Sequence, residues 1–158
     1  MSRTNIIDTN VLIVANQNSP QASYQCILNC IELLEKIRDE RISIDNRNLI
    51  FNEYKKYCDF SGQPNVGDSF FKWLHDNQAN TNVCEVVEIT DSGDEQIKFN
   101  EIPFNDELIG FDPSDQKFLA VALASRFSST IHNATDSDWA ENRDAIASLE
   151  VRVNEICT

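Results

Sequence analysis

The sequence has few basic residues: 13 lysines and arginines stand against 26 aspartates and glutamates, a formal net charge of −13. A surface of this sign repels polyanions, so the composition argues against broad binding to nucleic acid. It does not exclude a nuclease. Carboxylates that hold divalent cations count as acidic in the sequence, yet the loaded site attracts phosphate.

The chain also lacks long apolar runs and several common site motifs. No apolar run approaches the ~20 residues of a membrane span, and no secretory leader precedes Asn5. We therefore expect a cytoplasmic protein with no membrane partner. P-loop, GxGxxG and Ser-His-Asp patterns are missing, and His75 and His132 are interpreted as structural residues.

Cysteine usage predicts no covalent framework. The five cysteines are odd in number and contain no CxxC pair, so neither a disulfide framework nor a zinc knuckle is indicated. Cys26 and Cys30 lie four residues apart in a helical pattern, which fits the packing of reduced thiols. A reducing cytoplasm is the compartment that this pattern favours.

Apolar spacing predicts strands that alternate with helices. The expected strands are 5–8, 42–45, 83–90, 130–134 and 151–156, and the expected helices are 20–40, 49–57, 68–77, 112–127 and 141–149. Residues 61–67 are predicted as a loop, and residues 96–99 as a short extra strand. The alternation predicts a three-layer α/β/α sandwich with a mostly parallel central sheet. We expect a single domain over 1–158, with an irregular, insertion-like segment at about 59–111.

Acidic residues stand at or just after the predicted strand ends. Asp8 closes the first strand, Asp136 and Asp138 follow the fourth, Asp115 begins a buried helix, and Glu53 lies in the helix after the second strand. Sites in parallel sheets form at the carboxyl edge, so these acids are candidates for one cluster. Carboxylates without matching His or Cys suit Mg²⁺ or Mn²⁺, whose typical use is phosphoryl chemistry.

Each acid also has a purely structural interpretation. Asp8 is a good helix cap, and Asp112 followed by Pro113 is typical of an N-cap, which is the interpretation we adopt for Asp112. Asp115 would favour the positive end of a helix dipole, and the remaining acids fit loop or solvated-helix positions. Several like charges at one sheet edge, however, need a shared explanation, because without a cation they would be forced to protonate.

Four stretches, in this order, resemble the PIN-domain family, a group of metal-dependent ribonucleases with a Rossmann-like α/β/α sandwich. They are I-I-D-T-N-V-L-I, L-I-F-N-E-Y, D-P-S-D-Q-K-F-L-A-V-A-L-A and A-T-D-S-D-W, and E-V-R-V-N-E-I fits the last strand. The resemblance covers nearly the whole chain. Two departures are the long stretch between the second and third acids and Ala134, where the family often has Thr.

The resemblance implies a set of roles for the residues of this chain. Catalytic residues and ligands of Mg²⁺ or Mn²⁺ would be Asp8, Glu53, Asp115 and Asp136, with Asp138 as a further ligand. Asn10 would orient Asp8, Thr9 would lie at the metal or phosphate, and Thr135 would supply a supporting hydroxyl. Basic residues beside the acids are the expected substrate contacts: Arg47, Lys55, Lys56 and Lys117.

The function expected from these residues is a metal-dependent endoribonuclease that acts on single-stranded or structured RNA. The alternative is a catalytically weak or inactive PIN-like binding module that acts through a protein partner. The toxin of a toxin–antitoxin pair and a homodimer are both compatible with the resemblance. A phosphatase of the aspartyl-phosphate type is disfavoured, because Asn10 stands where that chemistry needs a second Asp.

Overall fold

A parallel five-stranded sheet forms the centre of the protein in the computed structural model, which describes residues 2–157. The strands are β1 (Arg3–Ile7), β2 (Ile42–Asp45), β3 (Cys84–Val87), β4 (Ser128–Asn133) and β5 (Arg152–Glu155). They lie in the order β3-β2-β1-β4-β5, and every neighbouring pair is parallel.

Helices cover both faces of this sheet. They are α1 (Thr9–Ala15), α2 (Tyr24–Lys36), α3 (Leu49–Tyr57), α4 (Val66–Asp76), α5 (Gln116–Ala124), α6 (Asp138–Glu141) and α7 (Arg143–Ser148). The chain moves from β1 out to β3 and then crosses to β4 and β5. With the right-handed crossovers that are the rule for parallel strands, this order places α1 to α4 on one face and α5 to α7 on the other. The predicted three-layer α/β/α fold is confirmed.

The central strand and α5 form the most deeply buried part of the core. Ile6 and Ile7 of β1 are fully buried, as expected for a parallel strand with helices on both faces. Helix α5 packs across β1, β2 and β4, and its Phe118, Leu119 and Val121 are also fully buried. The residues that follow β1 and precede α5 are therefore held on rigid elements.

Several element boundaries differ from the predicted ones for local reasons. The helix expected over 20–40 begins at Tyr24, because the Ser23 hydroxyl caps it by accepting the Cys26 N–H at 3.1 Å. The helix expected over 141–149 is divided into α6 and α7. Residues 96–99 form no strand of the sheet. Only an isolated antiparallel bridge joins Asp91 to Phe99.

The segment 59–111, predicted as irregular and insertion-like, contains regular structure in its first half. It includes α4 and β3, and β3 is an edge strand of the central sheet. The part without long elements follows β3, and its only helical turn before residue 112 is the 3₁₀ turn Asp106–Leu108. Among residues 2–157, no helix combines the length and the apolar character that a bilayer span requires.

The expectation that all cysteines are reduced thiols is wrong for one pair. Cys26 on α2 forms a disulfide with Cys157, which follows β5. Spacing rules missed the pair because 131 residues separate its members. Cys30, Cys58 and Cys84 are free and buried, and burial raises the pKa of each thiol to about 12.

Gly67 marks the closest contact between α1 and α4. A Cβ at this position would stand 2.5 Å from the Leu12 carbonyl oxygen and 2.6 Å from Asn16 Oδ1. Asn16 cannot easily move, since its Oδ1 accepts the Asp68 N–H and its Nδ2 donates to Asp68 Oδ1 at 3.0 Å. The glycine thus sets the distance between the two helices.

We predict that Gly67→Ala destabilises the protein by about 1–3 kcal/mol, the usual cost of overpacking. Helix propensity alone would predict the opposite sign, a gain of about 1 kcal/mol. Urea unfolding of the two proteins checks this. Gly110→Ala is the matched control, because a Cβ there meets no atom within 4 Å. A Gly67→Ala protein as stable as the parent would contradict the close packing.

Candidate metal and phosphodiester site

Three carboxyl groups meet at the carboxyl edge of the sheet. Asp8, Asp115 and Asp136 each offer an oxygen, and these oxygens all lie within 4.8 Å of one another. Asp8 directly follows β1, Asp136 follows β4, and Asp115 ends the short turn that leads into α5. Because β1 and β4 are the neighbours at which the strand order reverses, the group occupies the position where open α/β sheets bind ligands.

Asp8 is buried and fully hydrogen-bonded. Its Oδ2 accepts the indole N–H of Trp139 at 2.8 Å, and its Oδ1 accepts the Asn10 backbone N–H at 3.2 Å as a helix cap. Burial raises the pKa of Asp8 to about 7. The two hydrogen bonds oppose this shift, and the charges of Asp136 and Glu53 add to it. Asp8 can therefore cap α1 and also serve as a metal ligand, because a carboxylate oxygen that accepts one hydrogen bond keeps a second lone pair for a cation.

Asp115 has an oxygen without a partner. The residue is 6% exposed, and its Oδ2 is buried with no hydrogen-bond donor in the described part of the chain. Burial raises the pKa of Asp115 well above its ordinary value, and the Asp136 and Asp8 carboxyls add to the shift. The side chain makes no cap bond to α5, so the helix-dipole explanation does not account for where it points.

A buried carboxyl that has an unpartnered oxygen and lies beside two other carboxyls fits a divalent cation. Desolvating one such oxygen without a donor is costly, and a cation removes this cost together with the repulsion between neighbours. The donor set consists of oxygen only, which matches Mg²⁺ and Mn²⁺ rather than Zn²⁺ or Cu²⁺.

The side chain of Asn10 binds Asn133 and Ala134 rather than Asp8. Only its backbone N–H contacts Asp8. Its side-chain Nδ2 donates to Asn133 Oδ1 at 2.8 Å, and its Oδ1 accepts the Ala134 N–H at 2.8 Å. Asn10 thus binds Asp8 through its backbone N–H, while its side chain connects the end of β1 to the turn after β4.

Asn133 continues this connection to the third acid. Its Nδ2 donates to the Asp136 carbonyl at 2.8 Å and to Glu155 Oε2 at 2.9 Å, while its Oδ1 accepts the Asp136 N–H at 3.2 Å. One buried amide thus binds both backbone groups of Asp136. The Asn133 amide therefore helps to fix the position of this half-buried acid, and the Asp136 side chain adds a further bond because its Oδ1 accepts the Asp138 N–H at 2.9 Å.

Glu53 lies beside the three acids but outside their group. Its Oε1 pairs with the Lys117 ammonium at 3.0 Å, and its Oε2 accepts the Thr9 hydroxyl. Lys117 is 8% exposed and also donates to the Ser114 carbonyl. In this structure the side chains of Thr9 and Lys117 are both bound to Glu53.

Asp138 belongs to a second, overlapping group. Asp112, Asp115 and Asp138 also have oxygens within 4.8 Å of one another. Asp138 Oδ2 accepts the Asp112 N–H at 2.6 Å, and Asp112 Oδ1 accepts the Ser114 N–H at 2.9 Å, which confirms Asp112 as an N-cap. Burial raises the pKa of Asp138. Asp115 belongs to both groups and therefore connects Asp138 to Asp8 and Asp136.

The remaining predicted residues do not belong to the three-acid group. Thr135 is half-buried and lines a cavity of about 390 Å³ together with Asp136. Arg47, Lys55 and Lys56 are exposed on or just before α3, and the Lys55 ammonium lies 5.5 Å above the Phe60 ring.

The two histidines contribute nothing to the acid group. His132 is buried, its Nε2 contacts Asn5 Oδ1 at 2.8 Å, and its Nδ1 contacts Asn154 Nδ2 at 3.0 Å. Burial lowers the pKa of His132 to about 4. His75 packs against the rings of Phe51 and Phe60. Both are structural, as expected.

Sequence reasoning missed two residues that shape the site, Trp139 and Asn133. A buried indole needs an acceptor for its N–H, and the acidic neighbourhood of Trp139 was the available signal. The role of Asn133 could not be predicted from the sequence. An asparagine at a strand end that binds a neighbouring turn looks the same in the sequence as one that binds water.

Comparison of the chain with protein-family models, with curated proteins and with solved structures returned no match.

We predict that the cation-free protein loses stability as pH rises. Folding raises the pKa values of Asp8 and Asp115, so the folded state binds more protons than the unfolded state, and the free energy of unfolding falls from about pH 4 through pH 7. Asp115→Asn removes one of these acids. In EDTA it should stabilise the protein at pH 8 by about 1–3 kcal/mol and leave it nearly unchanged at pH 4.5.

Thermal and urea unfolding at the two pH values measure this difference. Asp144→Asn is the matched control, since Asp144 is exposed and the substitution changes the net charge equally. Mn²⁺ should reverse the order of stability at pH 8, because only the parent keeps all three carboxylates. Equal effects of Asp115→Asn at both pH values would show that the acids do not repel one another.

Proposed function

We propose that the protein is a metal-dependent endoribonuclease of the PIN-domain type that hydrolyses phosphodiester bonds in single-stranded RNA. One observation carries the proposal: buried Asp115, whose Oδ2 has no hydrogen-bond partner, offers a carboxyl oxygen within 4.8 Å of oxygens of Asp8 and Asp136 at the switch point of the sheet. Single-stranded RNA can bend its backbone toward buried carboxylates more easily than a duplex can. We place this activity in the cytoplasm.

Asp8, Asp115 and Asp136 would hold Mg²⁺ or Mn²⁺, which supplies polarisation of the phosphodiester and a more acidic water at neutral pH. In hydrolysis, a water oxygen bonds to phosphorus, the P–O bond to the leaving nucleotide breaks, and the water proton needs an acceptor. Asp115 or Asp136 would accept it, because both carboxyls belong to the group that would hold the cation.

The net charge of −13 overstates how strongly the site itself would repel RNA. Glu53 is already neutralised by Lys117, so this pair adds no net charge to the site. Three exposed cations, Arg47, Lys55 and Lys56, lie on or just before α3, the helix that also carries Glu53. Their exposure leaves them available for contact with the RNA backbone.

We predict that the protein cleaves a fluorescently labelled single-stranded RNA in Mg²⁺ or Mn²⁺ and not in EDTA. Asp8→Asn, Asp115→Asn and Asp136→Asn should each reduce the rate by at least about 100-fold, because each removes a ligand or the proton acceptor. Asp144→Asn should retain the parent rate. Cleavage that survives both EDTA and Asp8→Asn would overturn the proposal.

We further predict a positioning role for Trp139. Trp139→Phe keeps a ring against Phe111, whose centroid lies 5.0 Å from the indole, but removes the N–H that binds Asp8 Oδ2. Loss of such a supporting hydrogen bond should weaken Mn²⁺ binding by about 10–100-fold. Calorimetric titration with Mn²⁺ measures this, and the pH at which Mn²⁺ binds half-maximally should rise. An unchanged affinity would show that the indole serves packing alone.

The second candidate is a catalytically weak PIN-like module that acts through a protein partner, such as an antitoxin. The observation in its favour is the Glu53–Lys117 ion pair, which withholds one of the four predicted acids from the group. A folded protein that binds Mn²⁺ through Asp8 yet cleaves no RNA would favour this candidate.

A further inference from the structure

Three cysteines converge beside the carboxyl end of β5. Cys26 and Cys30 lie four residues apart on α2, Cys157 follows β5, and their three sulfur atoms all lie within 4.8 Å of one another. Cys26 and Cys157 form the disulfide, and Cys30 is the free, buried thiol next to it. A disulfide uses two sulfurs, so the third needs its own explanation. The other free cysteines, Cys58 and Cys84, are not in this group.

Backbone interactions, rather than the disulfide, bring the sulfurs together. Residues four apart on a helix share a face, which places Cys26 above Cys30. On the other side, β5 pairs with β4, and the Ile156 N–H donates to the Asn133 carbonyl at 2.9 Å. Cys157 is the next residue. These contacts do not involve sulfur, so they hold the three sulfurs in place after the Cys26–Cys157 bond is reduced.

The group is reachable from solvent on one side. Cys26 and Cys157 line the cavity of about 390 Å³ that also borders Ser23, Glu155 and Asp136. Cys30 lies behind them and is fully buried. A cation could enter from the cavity, and a water in the cavity could occupy a fourth coordination position.

We propose that the reduced protein binds one soft cation of the Zn²⁺ class through Cys26, Cys30 and Cys157, and that the disulfide is the oxidised form of the same site. Thiolate sulfur selects such cations over Mg²⁺ and Mn²⁺, so this site is chemically distinct from the oxygen-only group. It does not depend on the proposed nuclease activity.

The interconversion balances as a two-electron reaction. A dithiol reductant gives two electrons and two protons to the Cys26–Cys157 bond, which becomes two thiols, and the reductant becomes a disulfide. The thiols then release their protons to solvent as the cation binds. In a reducing compartment the cation-binding form would prevail, which reconciles the disulfide geometry with the cytoplasmic setting proposed above.

Cd²⁺ titration of the full-length protein, reduced under anaerobic conditions, tests this inference. Cd²⁺ is used because its bonds to thiolate absorb in the ultraviolet, whereas its bonds to carboxylate do not. We expect one equivalent to bind with this absorption and to be displaced by Zn²⁺. The disulfide form should show no such absorption.

Two variants test whether Cd²⁺ binds at the three-sulfur site or at another thiol of the protein. Cys30→Ser keeps the disulfide pair, yet should weaken Cd²⁺ binding by more than about 100-fold through loss of a ligand. Cys157→Ser, near the end of the chain, provides the same test if Cys30→Ser does not fold. Cys58→Ser and Cys84→Ser are the matched controls and should bind as the parent does. Cd²⁺ absorption that is absent, or unchanged in Cys30→Ser and Cys157→Ser, would overturn the proposal.

Discussion

The crowding of three buried carboxyl groups is the constraint on which the functional end of this fold depends. Asp8 and Asp115 are almost fully buried, and their oxygens lie within 4.8 Å of one another and of Asp136. Burial and mutual repulsion each raise the free energy of the ionised forms, so the group must hold protons or a cation. A protein that needed only a stable sheet edge would place such acids apart. Their convergence is therefore better explained by a ligand than by stability.

Amide side chains supply the rigidity that keeps this unfavourable arrangement in place. Asn10 Nδ2 donates to Asn133 Oδ1 across the carboxyl ends of β1 and β4, and Asn133 also binds both the N–H and the carbonyl of Asp136. Amides can do this without adding charge to a site that already has an excess of negative charge. Trp139 plays the corresponding role for Asp8, because its indole N–H can only donate.

The sequence predicted the fold class and the meeting of Asp8, Asp115 and Asp136, because parallel topology follows from strand–helix alternation and brings strand ends to one edge. It did not predict the Glu53–Lys117 pair or the Cys26–Cys157 bond. Those contacts depend on where α3 and α2 lie relative to distant segments, and one-dimensional spacing does not contain that information. Topology determines which strand ends lie next to one another, whereas packing between the layers determines which side chains become partners.

The Glu53–Lys117 pair also bears on the acidity of the chain. A net charge of −13 would oppose the approach of RNA if it were concentrated at the cleft. With Glu53 neutralised by Lys117, the ionised site carries the charges of Asp8, Asp115 and Asp136, and one divalent cation leaves a single negative charge. A cation held by this group would thus remove most of the negative charge from this edge of the sheet while the rest of the surface stays acidic. The total charge of the chain is therefore a poor guide to the charge that an approaching phosphodiester would meet at the three acids.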